Sequence, residues 1–264
     1  MILDKRADLG HGDVKKLLFS LSVPTITSQI VNMLYNLVDR VFIGHMQPAE
    51  TVGKLALTGV GVCLPIIMVI SAFASLMAIG GAPRASIAEG AGENEKSERI
   101  MGNCLTMLVI TALVLTVLFE SFAEPLLLMF GASENTIGYA LDYMRIYALG
   151  TIFVQLTLGM NAYITAQGFA TVSMKTVLIG ALLNTALDPL FIFVLGLGVR
   201  GAALATVISQ AVSAVWVMTF LTGKKTRWHL KRENLRVDAK VVLPCIALGL
   251  SPFVMQSTES LIAI

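Results

Sequence analysis

The sequence predicts an all-α fold, a polytopic membrane helical bundle, on three observations. Hydrophobic residues make up 56% of the 264 and charged residues only 14%, where a soluble domain carries about 25% charged residues. Mean hydropathy is +0.79. Six apolar stretches reach the about 20 residues that a helix needs to cross a bilayer.

The predicted spans are 17–44, 55–80, 100–120, 136–162, 176–195 and 201–222, with a seventh starting near Val241 and still apolar at Ile264. The polar start MILDKRADLGHGDVKK and the length of the first apolar run do not match a signal peptide. In that first span Thr25, Ser28, Asn32, Tyr35, Asn36 and Asp39 fall within an arc of about 120° at helical spacing. Ile26, Ile30, Leu34, Leu37 and Val41 lie opposite, so a lipid face and a polar face are expected. Pro24 frees a backbone carbonyl and makes a hinge plausible there. Cys63, Cys104 and Cys245 all fall inside spans without a CxxC pair and read as packing residues. Glu120 and Glu124 flank an outer loop and read as solvated. In the fourth span Asp142 and Arg145 have the spacing of a local ion pair.

The fifth span raises the question of why an Asn, an Asp and a Pro stand in LLNTALDPLF, 182–191. An ionised Asp at mid-membrane costs about 2.5–3.5 kcal/mol on insertion scales, and Pro189 removes a backbone donor from the same turn. Asn184 and Asp188 are four residues apart and therefore stack on one face. Thr206, Ser209, Gln210 and Ser213 share a face of the sixth span. Counted from the outer ends, Asp39, Asp188 and Thr206 all lie about 7–12 Å deep at 1.5 Å per residue. Three helices thus offer polar groups at one level, and buried membrane carboxylates usually serve transport or proton relay.

Orientation follows from the basic residues. With the N-terminus inside, fifteen of the nineteen Lys and Arg fall on inner segments, Lys5, Arg6 and the run from Lys224 to Lys240 among them; only Lys54 and Arg200 fall outside. That asymmetry places the N-terminus in the cytoplasm. The basic run KKTRWHLKRENLR reads as a cytoplasmic loop beside anionic lipid rather than a nucleic-acid site. Three isolated His offer no metal spacing, and no catalytic motif appears, so an enzyme is not expected. The expected organisation is a six-helix lobe over 1–222, an inter-lobe linker over 223–240, and the start of a second lobe over 241–264. Pro252 and Gln256 in the seventh span echo Pro24 and Gln29 in the first, the pattern of a parallel repeat. The apolar ending is expected to continue into a protein of about twelve spans in two lobes.

The segment NAYITAQGFATVSMKTVLIGALLNTALDPLFIFVLGLGVRGAALATVISQ closely resembles the multidrug and toxic compound extrusion (MATE) family. So do YNLVDRVFIGHM, GGAPRASIAEGAGENEKSE and YMRIYALG, and GLSPFVMQSTESLIAI looks most like the branch of Gram-positive bacterial exporters. The resemblance covers essentially the whole chain. It implies a monomeric two-lobed antiporter of the bacterial cytoplasmic membrane that expels cationic lipophilic drugs in exchange for H⁺ or Na⁺, with no other cofactor. It assigns a cation site to Asp39, Asn184, Asp188 and Thr206, and cavity-lining roles to Tyr35, Asn36, Tyr143 and Asn161. Glu259 matches a second-lobe acid, and Pro24 and Pro189 read as hinges. The chain departs from the family at Thr165, where many members place an Arg.

Two buried acids in one cleft repel, so Asp39 and Asp188 are expected to titrate jointly. The other reading is a lipid-linked precursor flippase of similar architecture. It demands a cavity rich in Arg or Lys, whereas the candidate residues are acidic and amidic.

Overall fold

The computed structural model describes residues 14–262; Lys5 and Arg6, counted above in the inner charge, lie outside the described residues. Within that range the chain forms nine α-helices and no strand: α1 (Val14–Gly44), α2 (Lys54–Val62), α3 (Leu64–Gly90), α4 (Asn94–Met129), α5 (Ile137–Leu149), α6 (Thr151–Ala166), α7 (Ala170–Pro189), α8 (Val199–Thr222) and α9 (Ala239–Ile262). Six stretches are long and apolar enough to cross a membrane, and α5 with α6 forms a seventh crossing if the pair is one bent span. One end of the bundle gathers Gly44, Met129 and Val199 and is the predicted outer end. The other gathers Gly90, Asn94 and Ala239 and is the predicted inner end.

Several elements differ from their predicted form, each for a local reason. The second span is two helices, broken at Cys63 just before Pro65, because proline cannot supply the donor that would continue the first turn. α3 then runs to Gly90 rather than stopping at 80. Gly80, Gly81 and Pro83 look like breakers, yet the helix continues through them, with the small Gly80, Gly81 and Ala82 buried and Pro83 exposed. α4 extends beyond both predicted ends and kinks at Phe122 (φ −119°, ψ 19°), three residues before Pro125. Glu120 therefore lies within a helix, with one carboxylate oxygen buried and without a hydrogen bond; Glu124 is exposed. The fourth span is bent by 57° between α5 and α6. At the bend a Cβ on Gly150 would come within 2.3 Å of Val207, so glycine allows α8 to press into the corner.

Packing sets α3 at the centre, against α4, α6 and α9, while α7 and α8 lie side by side and α1 lies along α7. α1 is a peripheral helix. Ile26, Ile30, Leu34 and Leu37 keep 52–59% of their surface exposed, as its predicted lipid face requires. Its polar groups mostly bond to their own helix: Thr25 donates to Leu21 O, Ser28 to Pro24 O and Asn36 to Asn32 O. Such back-bonding satisfies a hydroxyl or amide without a partner helix. α1 continues through Pro24 as one helix.

The predicted Asp142–Arg145 pair does not form. Asp142 instead accepts from Arg200 at the start of α8, 2.8 Å away, because the bend at Gly150 brings the two outer ends together. The basic segment 223–240 is docked rather than free. Gln167 Oε1 accepts from Thr226 Oγ1 and from the backbone N–H groups of Arg227 and Trp228. Trp228 is fully buried. Lys231 reaches Glu98 at 2.6 Å and Arg227 reaches Glu89 at 2.5 Å. Asn103 accepts from the Asp238 N–H and donates to Asn234 O. Part of the positive charge expected to face lipid is thereby neutralised within the protein. The Glu98 hydrogen bond also raises the Lys231 pKa above its ordinary value.

Candidate functional site

Three helices converge in the outer half of the bundle. α1 supplies Asp39, the one polar side chain that this helix buries; α7 supplies Asn184 and Asp188, one turn apart; α8 supplies Thr206. Asp39 is 9% exposed, Asn184 2% and Asp188 0%. Asn184 Nδ2 donates to both Asp188 Oδ1 and Thr206 Oγ1, each at 3.3 Å. The carboxyl groups of Asp39 and Asp188 face each other within hydrogen-bonding range. All four sequence-predicted cation residues are thus brought together.

Their hydrogen bonding is incomplete. Asp39 Oδ1, Asp188 Oδ2 and Asn184 Oδ1 are buried and without a partner. Buried polar atoms are normally paired, and an unpaired one costs about 1–3 kcal/mol. Three acceptor oxygens gathered at one place, with two acids among them, form an environment that a proton or a small hard cation would complete. Arg40, next in the sequence to Asp39, is exposed.

A cavity of about 40 Å³ continues inward from Asn184 and Thr206, between α1, α6, α7 and α8, past Asn32, Tyr35, Thr157 and Gln210. A water needs about 10–15 Å³ by this measure, so the space suits a few waters or a small ion. Drug-sized sites need about 300–1,000 Å³, so this cavity does not hold a drug in the present form. Gln210 Oε1 is another buried acceptor without a partner.

The predicted cavity residues divide. Tyr35 lines the cavity. Tyr143 is 4% exposed, stacks on Tyr147 at 5.9 Å, and lies beside Asp39 and Thr206. Asn36 does not line it: its side chain is turned back on the helix, and Asn32 takes the place one turn below. Asn161 bonds Ser173 O of α7 at 3.3 Å instead of facing the cavity. Thr165 bonds back to Asn161 O. Glu259 is exposed on α9, a helix that packs on α3 and α4 and not on this cluster. Pro189 ends α7 directly after Asp188 and leads into a wider turn over Leu190–Val194, where the Leu195 N–H bonds Leu190 O. Thr157 and Thr176 were not predicted to line the cavity. Thr176 is eight residues before Asn184, two steps of the same i,i+4 row, and that spacing is the signal that points to it.

Acids buried inside an all-helical, multi-pass membrane protein usually serve transport or proton relay. The chain belongs to the MatE family, whose profile matches residues 24–190. It is 27% identical over 245 residues to the multidrug export protein MepA of Staphylococcus haemolyticus, covering 93% of this chain and 53% of that protein. Among solved structures, a chain named only "protein A" superposes with a TM-score of 0.90 and 35% identity, over 98% of this chain and 57% of the other. A multidrug resistance MATE family transporter of the MOP superfamily, in an outward-facing conformation, gives a TM-score of 0.84 and 26% identity, over 93% and 53%. The chain spans about half the length of the relatives it matches.

Proposed function

We propose that this chain is the first half of a secondary antiporter that exports lipophilic cations from a bacterial cell in exchange for H⁺ or Na⁺. It acts as a monomer in the cytoplasmic membrane, with its N-terminus inside. The reading rests on one observation above all: Asp39 and Asp188 lie buried side by side, each with one oxygen unpaired. The MepA relative's name, a multidrug export protein, supports the drug substrate.

The coupling follows from charge. With both acids ionised the site is negative and attracts a cation. A proton on one carboxyl, or Na⁺ held by Asp39, Asn184, Asp188 and Thr206, removes the repulsion and lets α1 settle closer to α7. α1 is the helix free to move, since it has few buried side chains and a proline at position 24. Closing α1 onto α7 shrinks the space open to the drug and releases it outward. Ion and drug must prefer different states for exchange to occur, and a cavity of only about 40 Å³ beside the acids suits a state that holds the ion and not the drug. The cleft against the second half then supplies the drug's apolar surroundings, as in other two-lobed carriers.

The test uses the full-length protein in inverted vesicles. Asp39→Asn and Asp188→Asn should each abolish proton- or Na⁺-driven uptake of a fluorescent lipophilic cation while leaving the protein in the membrane at normal levels. Near-normal, ion-dependent uptake in both variants would reject the acid-pair role. Repeating the assay without Na⁺ separates the two coupling ions. No basic side chain lines the cavity beside the acids; Lys96, Arg99, Lys231 and Arg236 line a larger open pocket at the inner end, where Glu93, Glu95, Glu98, Glu233 and Asp238 offset their charge.

A further inference from the structure

Two cysteines that lie 141 positions apart in the sequence meet at the inner end of the bundle. The meeting is built by glycine. On α3, a Cβ at Gly80 would lie 2.0 Å from Cys245 O of α9; on α9, a Cβ at Gly249 would lie 2.1 Å from Leu76 O of α3. The two backbones therefore touch at reciprocal glycines, the close approach that small residues permit between membrane helices. Gly81, the next residue, leaves room for Cys104 Sγ of α4, which lies 2.7 Å from where its Cβ would be, and for the Tyr163 hydroxyl. The result is that Cys104 and Cys245, both fully buried and both free thiols, sit in one packed cluster with Tyr163, close enough to interact, with the Arg84 side chain beside them. Cys245 also donates to Val241 O at 3.2 Å. Cys63, by contrast, points its thiol at the Gly59 and Ala140 carbonyls at the other end of the bundle.

We propose that Cys104 and Cys245 form a modification site, a thiol pair that closes into a disulfide tying α4 to α9 when a small neutral peroxide reaches it. The step balances. One sulfur attacks a peroxide oxygen; the S–O bond forms, the O–O bond breaks, and the leaving hydroxide takes the thiol proton as water. The second sulfur displaces the hydroxyl from that sulfenic acid, the S–S bond forms, and a second water leaves. Two electrons pass from the sulfurs to the peroxide. Arg84 lies beside the pair, and its Nε is buried without a partner, so the pocket holds a cation positioned to stabilise developing thiolate charge.

The consequence rests on the antiporter reading and on α9 being the first helix of the second half. Relative movement of the halves must then separate or shear α9 against α3 and α4. A disulfide holds this seam closed at the inner end, and export stops until the bond is reduced.

The experiment uses the full-length protein in proteoliposomes, with a protease recognition sequence inserted after Lys224, which is exposed in the linker. After hydrogen peroxide and cleavage, the two fragments should stay joined on a non-reducing gel and part with dithiothreitol. In Cys104→Ser or Cys245→Ser they should part under both conditions, whereas Cys63→Ser should behave as the parent. Export of a lipophilic cation should fall by about tenfold or more on oxidation, because a locked conformational step sets turnover, and recover on reduction. Fragments that part without reductant overturn the disulfide; fragments that stay joined while export continues unchanged overturn the lock. Export by the reduced protein is measured first, so a failure of the antiporter reading shows there, while the gel still decides the thiol pair.

Discussion

The acid cluster at the outer half and the linker seam at the inner end bury similar polar chemistry to opposite effect. At the seam, Gln167 Oε1 accepts three donors, Glu98 accepts from Lys231 and from the His229 N–H, and Asn103 uses both ends of its amide. In the cluster, Asp39, Asp188 and Asn184 each keep a buried oxygen without a partner. The surroundings differ as well. The seam is roofed by Trp228, whose indole N–H is its one buried donor without a partner among these residues, and is backed by glycine-to-backbone contact, whereas the cluster borders a small cavity and the peripheral α1. Polar groups that are satisfied hold a structure together; polar groups left unsatisfied beside a movable helix await a ligand. The difference separates two burials that composition alone would count as equal.

That comparison breaks first at the seam. Gly80→Val should prevent accumulation of folded protein or lower its stability by about 3 kcal/mol, since the new side chain meets a backbone carbonyl that cannot yield. Thermal unfolding of the purified full-length protein, read by tryptophan fluorescence, measures it. A stable Gly80→Val protein would mean that α3 and α9 do not touch as described. Gln167→Leu should lower stability by about 1–3 kcal/mol, because it strands three donors, yet leave export per folded molecule near normal.

The cluster should respond in the reverse sense. Asn184→Ala removes a donor to Asp188 and Thr206 but also an unpaired acceptor, so stability should change by less than about 1 kcal/mol. Export should nevertheless drop by about tenfold, as expected where a site residue and not a structural one is lost. If Asn184→Ala unfolds the protein and Gln167→Leu stops export in a fully stable one, the contrast is inverted.

The smallest effect concerns pH at the seam. Lys231 has its pKa raised by Glu98, so the stabilisation is fully present below the unfolded value of about 10.4 and is lost only as pH rises through the higher folded value. Protection of the linker from limited proteolysis should therefore stay constant across the neutral range and weaken only in strong alkali. Loss of protection near neutral pH would show that another group holds the linker.

How far the sequence reaches depends on whether a signal is local. Asp39, Asn184 and Asp188 stand out because charge and amide are rare in apolar runs, and helical spacing alone aligns Asp39 with Asp188 at one depth and sets Asn184 one turn deeper. Asn32 and Asn36 are both on the predicted polar arc, and only tertiary structure decides that Asn36 folds back onto its own helix while Asn32 meets the cavity. The ion pair of Asp142 illustrates the same limit: i,i+3 spacing points to Arg145, but the corner at Gly150 delivers Arg200. Hydropathy runs evenly through that corner and through the break at Cys63, so neither is visible in composition. The linker reads as a charged loop because its partners, Gln167, Glu98 and Asn103, lie on helices distant in sequence. The Cys104–Cys245 contact is invisible for the same reason.

Ion exchange at the acid pair is tested most directly by adding a lipophilic cation to the purified full-length protein in weakly buffered solution and recording the ions released. The account predicts release of about one proton, or of Na⁺ when it is the bound ion, per cation taken up, by the reciprocity of linked binding. Release should vanish in Asp39→Asn and Asp188→Asn. Cation binding with no ion released from the parent protein, or with equal release from both variants, would contradict it.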